Sequence, residues 1–333
     1  MEEQWIFKIS FINVGNGDAI LVQVKDQDYR SGCFVMVVDA GSGEQEEYEN
    51  TATGRVRMSE FMEQAGIDHV DVLVNTHIHE DHICGMEEVV ARWKPTVFWQ
   101  PFPVELFRKM KTLETEMAIS ESGRKFRAAL NSYQRICMEV LAAGGDLRQL
   151  VRQEEIQVAG KLHIRVLGPT QEAVNEQMKR LHMLYEAHKS GEETEEIERK
   201  LDAEMNDTSL ILYLECARHT FLLPGDTQSS GYGACKEKMK AEVFKVGHHG
   251  QENSMDEKLL EAITPSYAMI CASSDRRYDS AAPQVLKMLY QAGAELCFTD
   301  TPNVPPFTDE LKPHCGVCAE ILHNGSMSVK YLL

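Results

Sequence analysis

Three histidines and an aspartate fall within six positions in His77-Ile-His79-Glu-Asp81-His82. Imidazole and carboxylate together suit zinc, iron or manganese. The motif directly follows Val70 to Val74, an apolar run that predicts a buried strand. A sharp turn at a strand end aims alternate side chains at two neighbouring points, which is the arrangement a two-metal centre needs. Two other strand ends carry donors of the same kind. Asp226 follows Thr220 to Leu223 in Leu222-Leu-Pro-Gly-Asp-Thr, and His248-His249 follow Val243 to Val246. Adjacent residues at a strand end face different ways, so the two histidines are not expected to share one metal.

The elements that must position these groups can be read from periodicity. Trp5 to Val14 predicts a strand ending in the turn Gly15-Asn-Gly-Asp18, and Ala19 to Val24 resumes as its hairpin partner. Phe34 to Val38 is a run suited to a buried strand and stops at Asp39-Ala-Gly-Ser-Gly. A helix is expected around Met58 to Ala65, and a strand at Val97 to Trp99 closes this half. Residues 104–151 read as helical, with Phe126, Ala129, Leu130, Tyr133, Ile136, Cys137, Val140 and Leu141 on one apolar face. A second, polar helical segment covers 171–205. Strands return at Leu162 to Leu167 and Ser209 to Leu214. Near the end, strands at Tyr267 to Cys271 and Leu296 to Phe298 flank a helix at Pro283 to Ala292. One α/β domain spanning 1–333, with helical insertions at about 104–151 and 171–205, fits this order.

The pattern resembles the metallo-β-lactamase superfamily, whose fold is an αββα sandwich. Within it the chain is most similar to the hydrolase domain of the ComEC-type DNA-uptake proteins. That likeness rests on Phe11-Ile-Asn-Val-Gly-Asn-Gly-Asp-Ala-Ile, Val38-Asp39-Ala-Gly-Ser-Gly, Asn206-Asp-Thr-Ser-Leu and Lys245-Val-Gly-His248-His249-Gly. The resemblance implies that His77 and His79 hold a first metal and Asp81 and His82 a second. It implies that Asp226 bridges them, that His248 is the last histidine ligand, and that Asp39 supports the metal loop by hydrogen bonding. A carboxylate can bridge two cations, and Gly225 lets the backbone approach them. Many relatives carry one more histidine between the motif and the bridging aspartate. His163, His182, His188 and His219 are the candidates here, and each reads as structural or solvated. Asn206 or Asp207 is expected near the site instead. Asp279-Ser-Ala-Ala-Pro stands where relatives carry a histidine-rich turn.

The formal net charge is −18. Such a surface disfavours long nucleic acid and anionic membranes but leaves room for a small anionic substrate. Nothing approaches a transmembrane run, and Met1-Glu-Glu-Gln lacks the features of a secretory leader. A cytoplasmic protein is therefore expected, with protein partners left open. The nine cysteines, Cys235 among them, are scattered and read as reduced thiols. Cys315 and Cys318 form the one CxxC, with no second pair to complete a zinc site.

These readings converge on a metal-dependent hydrolase with two divalent ions, zinc first and manganese as alternative. The expected nucleophile is a hydroxide generated at the metals, oriented by Asp81. His249 is expected on the substrate side, as donor to the leaving group. A phosphodiester of nucleotide or nucleic-acid type is the favoured substrate. A lactone, thioester or β-lactam is the second enzymatic reading, and a non-catalytic metal-binding sensor or scaffold is the third.

Overall fold

A computed structural model describes residues 5–233, 239–309 and 311–333. Met1 to Gln4 and Cys235, on which two of the expectations above fall, lie outside the described residues. Strands β1 (Trp5–Ile12), β2 (Ala19–Lys25), β3 (Cys33–Ala40), β4 (Val72–Val74), β5 (Val97–Gln100) and β6 (Asp146–Gln149) build most of one sheet. The second contains β7 (Glu155–Val158), β8 (Leu162–Gly168), β9 (Ile211–Cys216), β10 (His219–Leu223), β11 (Val243–Lys245), β12 (Tyr267–Ile270) and β13 (Glu295–Phe298). The chain then returns to the first sheet through β14 (Gly316–Leu322) and β15 (Met327–Leu332). The resulting orders are β15-β14-β1-β2-β3-β4-β5-β6 and β13-β12-β11-β10-β9-β8-β7.

Three apolar layers hold these sheets together. Between them pack Phe7, Ile9 and Phe11 of β1, Phe34, Met36 and Val38 of β3, and Leu162, Ile164, Leu212, Leu214 and Phe221 of the facing sheet. The opposite face of β3, through Val35 and Val37, lies under helices that include α1 (Met58–Gln64), α3 (Met86–Trp93) and α5 (Glu121–Ala142). Every residue of β3 is buried, which is why it reads as an unbroken apolar run rather than an alternating one. Helices α8 (Glu257–Ile263) and α9 (Pro283–Gln291) cover the outer face of the second sheet. The result is the αββα sandwich expected from the sequence.

Each sheet is parallel in one half. β3, β4, β5 and β6 run parallel, as do β10, β11, β12 and β13. The chain therefore leaves β3, β4, β10 and β11 on the edge where ligands gather in sheets of this type. Asp39 lies at the end of β3, and the His77 to His82 motif, Asp226 and the His248-His249 pair lie just beyond the ends of β4, β10 and β11.

Several boundaries differ from expectation. Val97 to Trp99 does not close its half, because β6 pairs in parallel beyond β5 at the sheet edge. This strand lay hidden inside the segment read as helical because it alternates half-buried and exposed residues, lacking the inner apolar face that announces a strand. The helical part is α5, preceded by the short α4 (Leu106–Lys109). The 171–205 segment is two helices, α6 (Gln171–Ser190) and α7 (Glu195–Glu204). Gly191 breaks them by taking a left-handed conformation with φ of 71°. β7, β14 and β15 were not singled out by the sequence reading, and β15 has no buried residue.

A buried ion pair ties the helical segments to one another. Arg127 of α5 donates from Nε and Nη2 to the two carboxylate oxygens of Glu198 of α7, at 2.9 and 2.8 Å. Thr194 also donates to Glu198, at 2.5 Å. Both charged side chains are about nine-tenths buried or more, at 10% and 5% exposed. Removing one partner of such a pair strands the other charge, so Arg127→Ala is expected to cost about 3 to 5 kcal/mol. Chemical unfolding of the variant beside Arg127→Met and the parent protein checks this. A loss under about 1 kcal/mol would show that the pair does not anchor α7.

Candidate metal centre

The loop after β4 begins with Asn75, Thr76 and His77, all fully buried or nearly so. Asp39, at the end of β3, holds that loop in place. One of its oxygens accepts from the Thr76 amide at 2.8 Å. The other accepts from Thr76 Oγ1 at 2.5 Å and faces His82 Nδ1 at 2.8 Å. Asp39 reaches these partners from a left-handed backbone conformation, φ 52°, which aspartate tolerates better than most residues. Anchoring Nδ1 of His82 leaves its Nε2 as the free donor, the tautomer a metal ligand needs.

The turn between β1 and β2 closes the loop from another side. Gly17 has φ of 122°, and a Cβ there would run into the carbonyl of Asp81. That same carbonyl accepts from the Asp18 amide at 3.3 Å. Asn16 Nδ2 donates to the Asp81 carboxylate at 2.7 Å. The glycine-asparagine-glycine-aspartate turn thus fixes where Asp81 points.

The donors converge as follows. His77 Nε2 and His79 Nδ1 face one another at 3.0 Å. His82 Nε2 lies 3.3 Å from Asp226 Oδ2, and His249 Nε2 lies 3.0 Å from the same oxygen. His249 Nε2 also stands 3.3 Å from Asp81. Two overlapping sets, His77 with His82 and Asp226, and Asp81 with His82 and His249, bring their ligand atoms within 4.8 Å of one another. Both His82 Nε2 and His249 Nε2 are buried without a well-formed hydrogen bond. Paired imidazole lone pairs and carboxylates, left unsatisfied in a buried pocket, fit divalent cations.

The charge balance agrees with that fit. Burial and the neighbouring His82 and His79 push His77 well below the ordinary imidazole range, which makes it a neutral donor. Burial also works against the charged form of His249, but Asp226, Asp81 and Asp18 outweigh it and raise this group to about 10. His82 rises well above its usual value in the same way, through Asp226, Asp39 and Asp81. Asp226 is held well below the usual carboxylate range despite burial, by His249, His82 and Lys245. The pocket as a whole draws positive charge, and bound cations would take the place of those protons.

Of the two adjacent histidines, His248 was expected as the ligand and His249 on the substrate side, and it is the ring of His249 that lies against the cluster. His249 joins the cluster, because its Nδ1 is fixed at 2.9 Å from the Cys271 carbonyl and its Nε2 is turned onto Asp226 and Asp81. Neither His248 nor His79 belongs to such a cluster among the described residues, although His79 Nδ1 faces His77 Nε2. The His248 ring lies between Asn253 Oδ1 at 3.0 Å and Asn206 Nδ2 at 3.3 Å, and it lines the adjoining cleft. His248 and His249 both have positive φ, 46° and 51°, so the backbone turns sharply between them and sends the rings apart.

The other candidate histidines lie apart from the site. His163 pairs with Glu215 at 3.2 Å and His219 with Glu242 at 2.6 Å, while His188 stands 3.7 Å from Glu114. His182 belongs to no candidate cluster among the described residues. Asn206 lines the cleft, whereas Asp207 lines a different one. Cys315 and Cys318 are free thiols raised by burial.

A metallo-beta-lactamase superfamily profile matches residues 13–120, the stretch that carries the glycine turn, Asp39 and the histidine motif. The chain is 22% identical over 303 residues to ComE operon protein 3 of Bacillus subtilis (strain 168), covering 88% of this chain and 32% of that protein. The chain has the metallo-β-lactamase fold, and its residues 13–120 are similar to that superfamily. It spans about a third of the length of that curated relative. Solved structures of similar fold include a putative metal-dependent hydrolase from Parabacteroides distasonis, with 12% identity, TM-score 0.43, and 87% and 91% of the two chains covered. Another is Zn(2+)-bound PqqB from Methylobacterium extorquens, with 9% identity, TM-score 0.44, and coverage of 88% and 97%.

Three residues around this site escaped the sequence reading. Asp18 and Lys245 form a fully buried ion pair, and Lys245 Nζ also donates to the Gly225 carbonyl at 2.9 Å. Lys245 stands 3.4 Å from Asp226 and offsets part of its charge. Both residues lie inside the quoted motifs, next to residues that were singled out. Asp202 carried no signal, because it sits on an acidic helix that reads as a solvated face. Its backbone carbonyl accepts from His79 Nε2 at 3.1 Å, and its carboxylate lies 3.4 Å from the same nitrogen. Ser122 of α5 donates to that carboxylate at 2.5 Å. Both helical segments thereby reach the metal loop through one histidine.

Outer partners of a ligating histidine typically contribute about 10- to 100-fold to metal affinity. Asp202→Asn is expected to weaken the looser of two zinc-binding steps by about tenfold, read by competition with a chelating dye. Unchanged affinity for both steps would show that Asp202 does not orient His79.

Proposed function

We propose that this chain is a two-metal phosphodiesterase. The observation that carries the reading is Asp226, whose carboxylate meets two unsatisfied imidazole nitrogens at the floor of an open cleft of about 290 Å³. In this reading His77, His79 and Asp226 hold one cation, and Asp81, His82, His249 and Asp226 hold the other. Divalent ions bound there supply water activation near neutral pH and neutralise charge that develops at phosphorus.

The chain's own residues do the positioning. Asp39 fixes the ring of His82 through Nδ1, and the Cys271 carbonyl does the same for His249. Asn16 fixes Asp81, the residue proposed to orient the attacking water. His249, His82 and Lys245 together hold Asp226 ionised in a pocket where burial opposes its charge. His248, left out of the cluster, is the histidine that meets the substrate from the cleft wall. Resemblance to the hydrolase domain of the DNA-uptake proteins supports a phosphodiester, and the charge of −18 supports a small one over long nucleic acid. We further propose that zinc is the native metal, with manganese as alternative, and that the chain works in the cytoplasm. No helix among the described residues is long and apolar enough to cross a membrane.

Hydrolysis of bis-p-nitrophenyl phosphate beside a chromogenic ester tests this, with zinc or manganese supplied. Phosphodiester turnover that requires metal and falls at least about a hundredfold in Asp226→Asn is expected, since each cation is worth several kcal/mol to such a reaction. Turnover of the ester alone would move the chain to carbonyl hydrolysis. Bound metal with neither activity would point to a sensor.

A further inference from the structure

The cleft above the cluster is bounded partly by residues that the metal chemistry does not use. Lys125 and Tyr278 are two of them. Lys125 lies on α5 between Ser122 and Phe126, which also line the cleft. It is the one lysine or arginine in that lining, in company with Glu80, Asp81, Asp202 and Asp226. Among the described residues no ion pair or hydrogen bond engages its ammonium. Nearly every other cation close to this site has a committed partner. Arg124, one residue earlier, is paired with Glu44 and Glu121, and Lys245 is paired with Asp18. The charge of Lys125 acts on Glu80 and Glu121 at longer range, and with no ion pair of its own it can meet an anion in the cleft.

Tyr278 enters the same cleft from the connection between β12 and α9. Its side chain is 68% exposed, among the most exposed large apolar side chains of the protein. The backbone that presents it is unusual. Arg276, Tyr278, Asp279 and Ala281 all have positive φ, at 52°, 56°, 55° and 39°. Such conformations cost free energy for residues other than glycine and persist only where surrounding contacts enforce them. Here Arg277 is bonded to Glu47 and to Asp275, and the Ala281 amide donates to the His249 carbonyl at 3.2 Å. The loop that offers the ring to solvent is thus fastened to the metal-centre histidine itself. An exposed ring held so firmly beside a reaction site serves as a platform for a flat group.

We propose that Lys125 and Tyr278 together make the cleft selective for nucleoside phosphates, the ammonium taking a phosphate oxygen and the phenol ring stacking on the base. This rests on the phosphodiesterase reading for its choice of phosphate, but not for its test, which reads binding. Lys125 comes from the helical segment and Tyr278 from the opposite end of the chain, so each subsite can be removed alone.

The experiment measures dissociation constants of adenosine monophosphate, ribose 5-phosphate and adenosine for the zinc-loaded protein by calorimetry. Lys125→Ala is expected to weaken adenosine monophosphate and ribose 5-phosphate about tenfold each and to leave adenosine as it was. Tyr278→Ala is expected to weaken adenosine monophosphate and adenosine about tenfold and to leave ribose 5-phosphate as it was. Lys125→Arg and Tyr278→Phe should restore most of the loss. Circular dichroism and zinc content identify any variant that has failed to fold. That crossed pattern supports the assignment even if no phosphodiester is turned over, in which case only the catalytic reading falls. Uniform weakening of all three ligands by either variant, or no change with either, would overturn it even for an active phosphodiesterase.

Discussion

Four carboxylates, those of Asp18, Asp39, Asp81 and Asp226, are gathered around His82 and His249 with Lys245 as the one lysine among them. Like charges brought this close in a buried place cannot all stay ionised unless something positive joins them. The imidazoles answer part of that demand, and divalent cations would answer the rest. Every loop at this end of the sandwich is shaped by the need to bring these groups together. Asp39 gives up hydrogen-bonding capacity to hold Thr76 and His82, and Asp18 gives up its own to Lys245. The remaining carboxylates, Asp81 and Asp226, are the two that face the cleft.

The two sheets make this gathering feasible. Their strands end at one rim, so that four loops, each short, can deliver donors to a common point. Apolar layers on both faces of β3 keep the rim rigid, and a rigid scaffold is what gives a coordination site its spacing. The helical segments add a further restraint. Through Ser122 and Asp202 they bond to the outer nitrogen of His79, and through Arg127 and Glu198 they bond to each other. They are part of how the site is held as well as of how its cleft is walled.

Much of this was legible in the sequence. The histidine motif after a β-branched run identified the metal loop because metal donors at alternate positions rarely serve anything else. β3 was legible because a strand buried on both faces is apolar throughout. β6 and β15 were not, because an edge strand with an exposed face lacks that signature. The orientation of the His248 and His249 rings was beyond reach for a different reason. Which of two neighbouring rings turns inward depends on two consecutive positive φ angles and on a carbonyl, that of Cys271, contributed from 22 residues away. Asp202 was hidden for the same kind of reason, since its role comes from packing across 123 residues. Local chemistry marks a ligand well, whereas its outer partners are set by tertiary contact.

The central claim is that this cluster holds two cations in a common carboxylate bridge. Metal content of the purified, dialysed chain, measured by plasma mass spectrometry after zinc loading, tests it most directly when paired with Asp226→Asn and His249→Ala. The account predicts two zinc ions per chain, one in His249→Ala, and fewer than two in Asp226→Asn. Two zinc ions retained by His249→Ala together with loss of one in His248→Ala would contradict it, since the wrong histidine would then be the ligand.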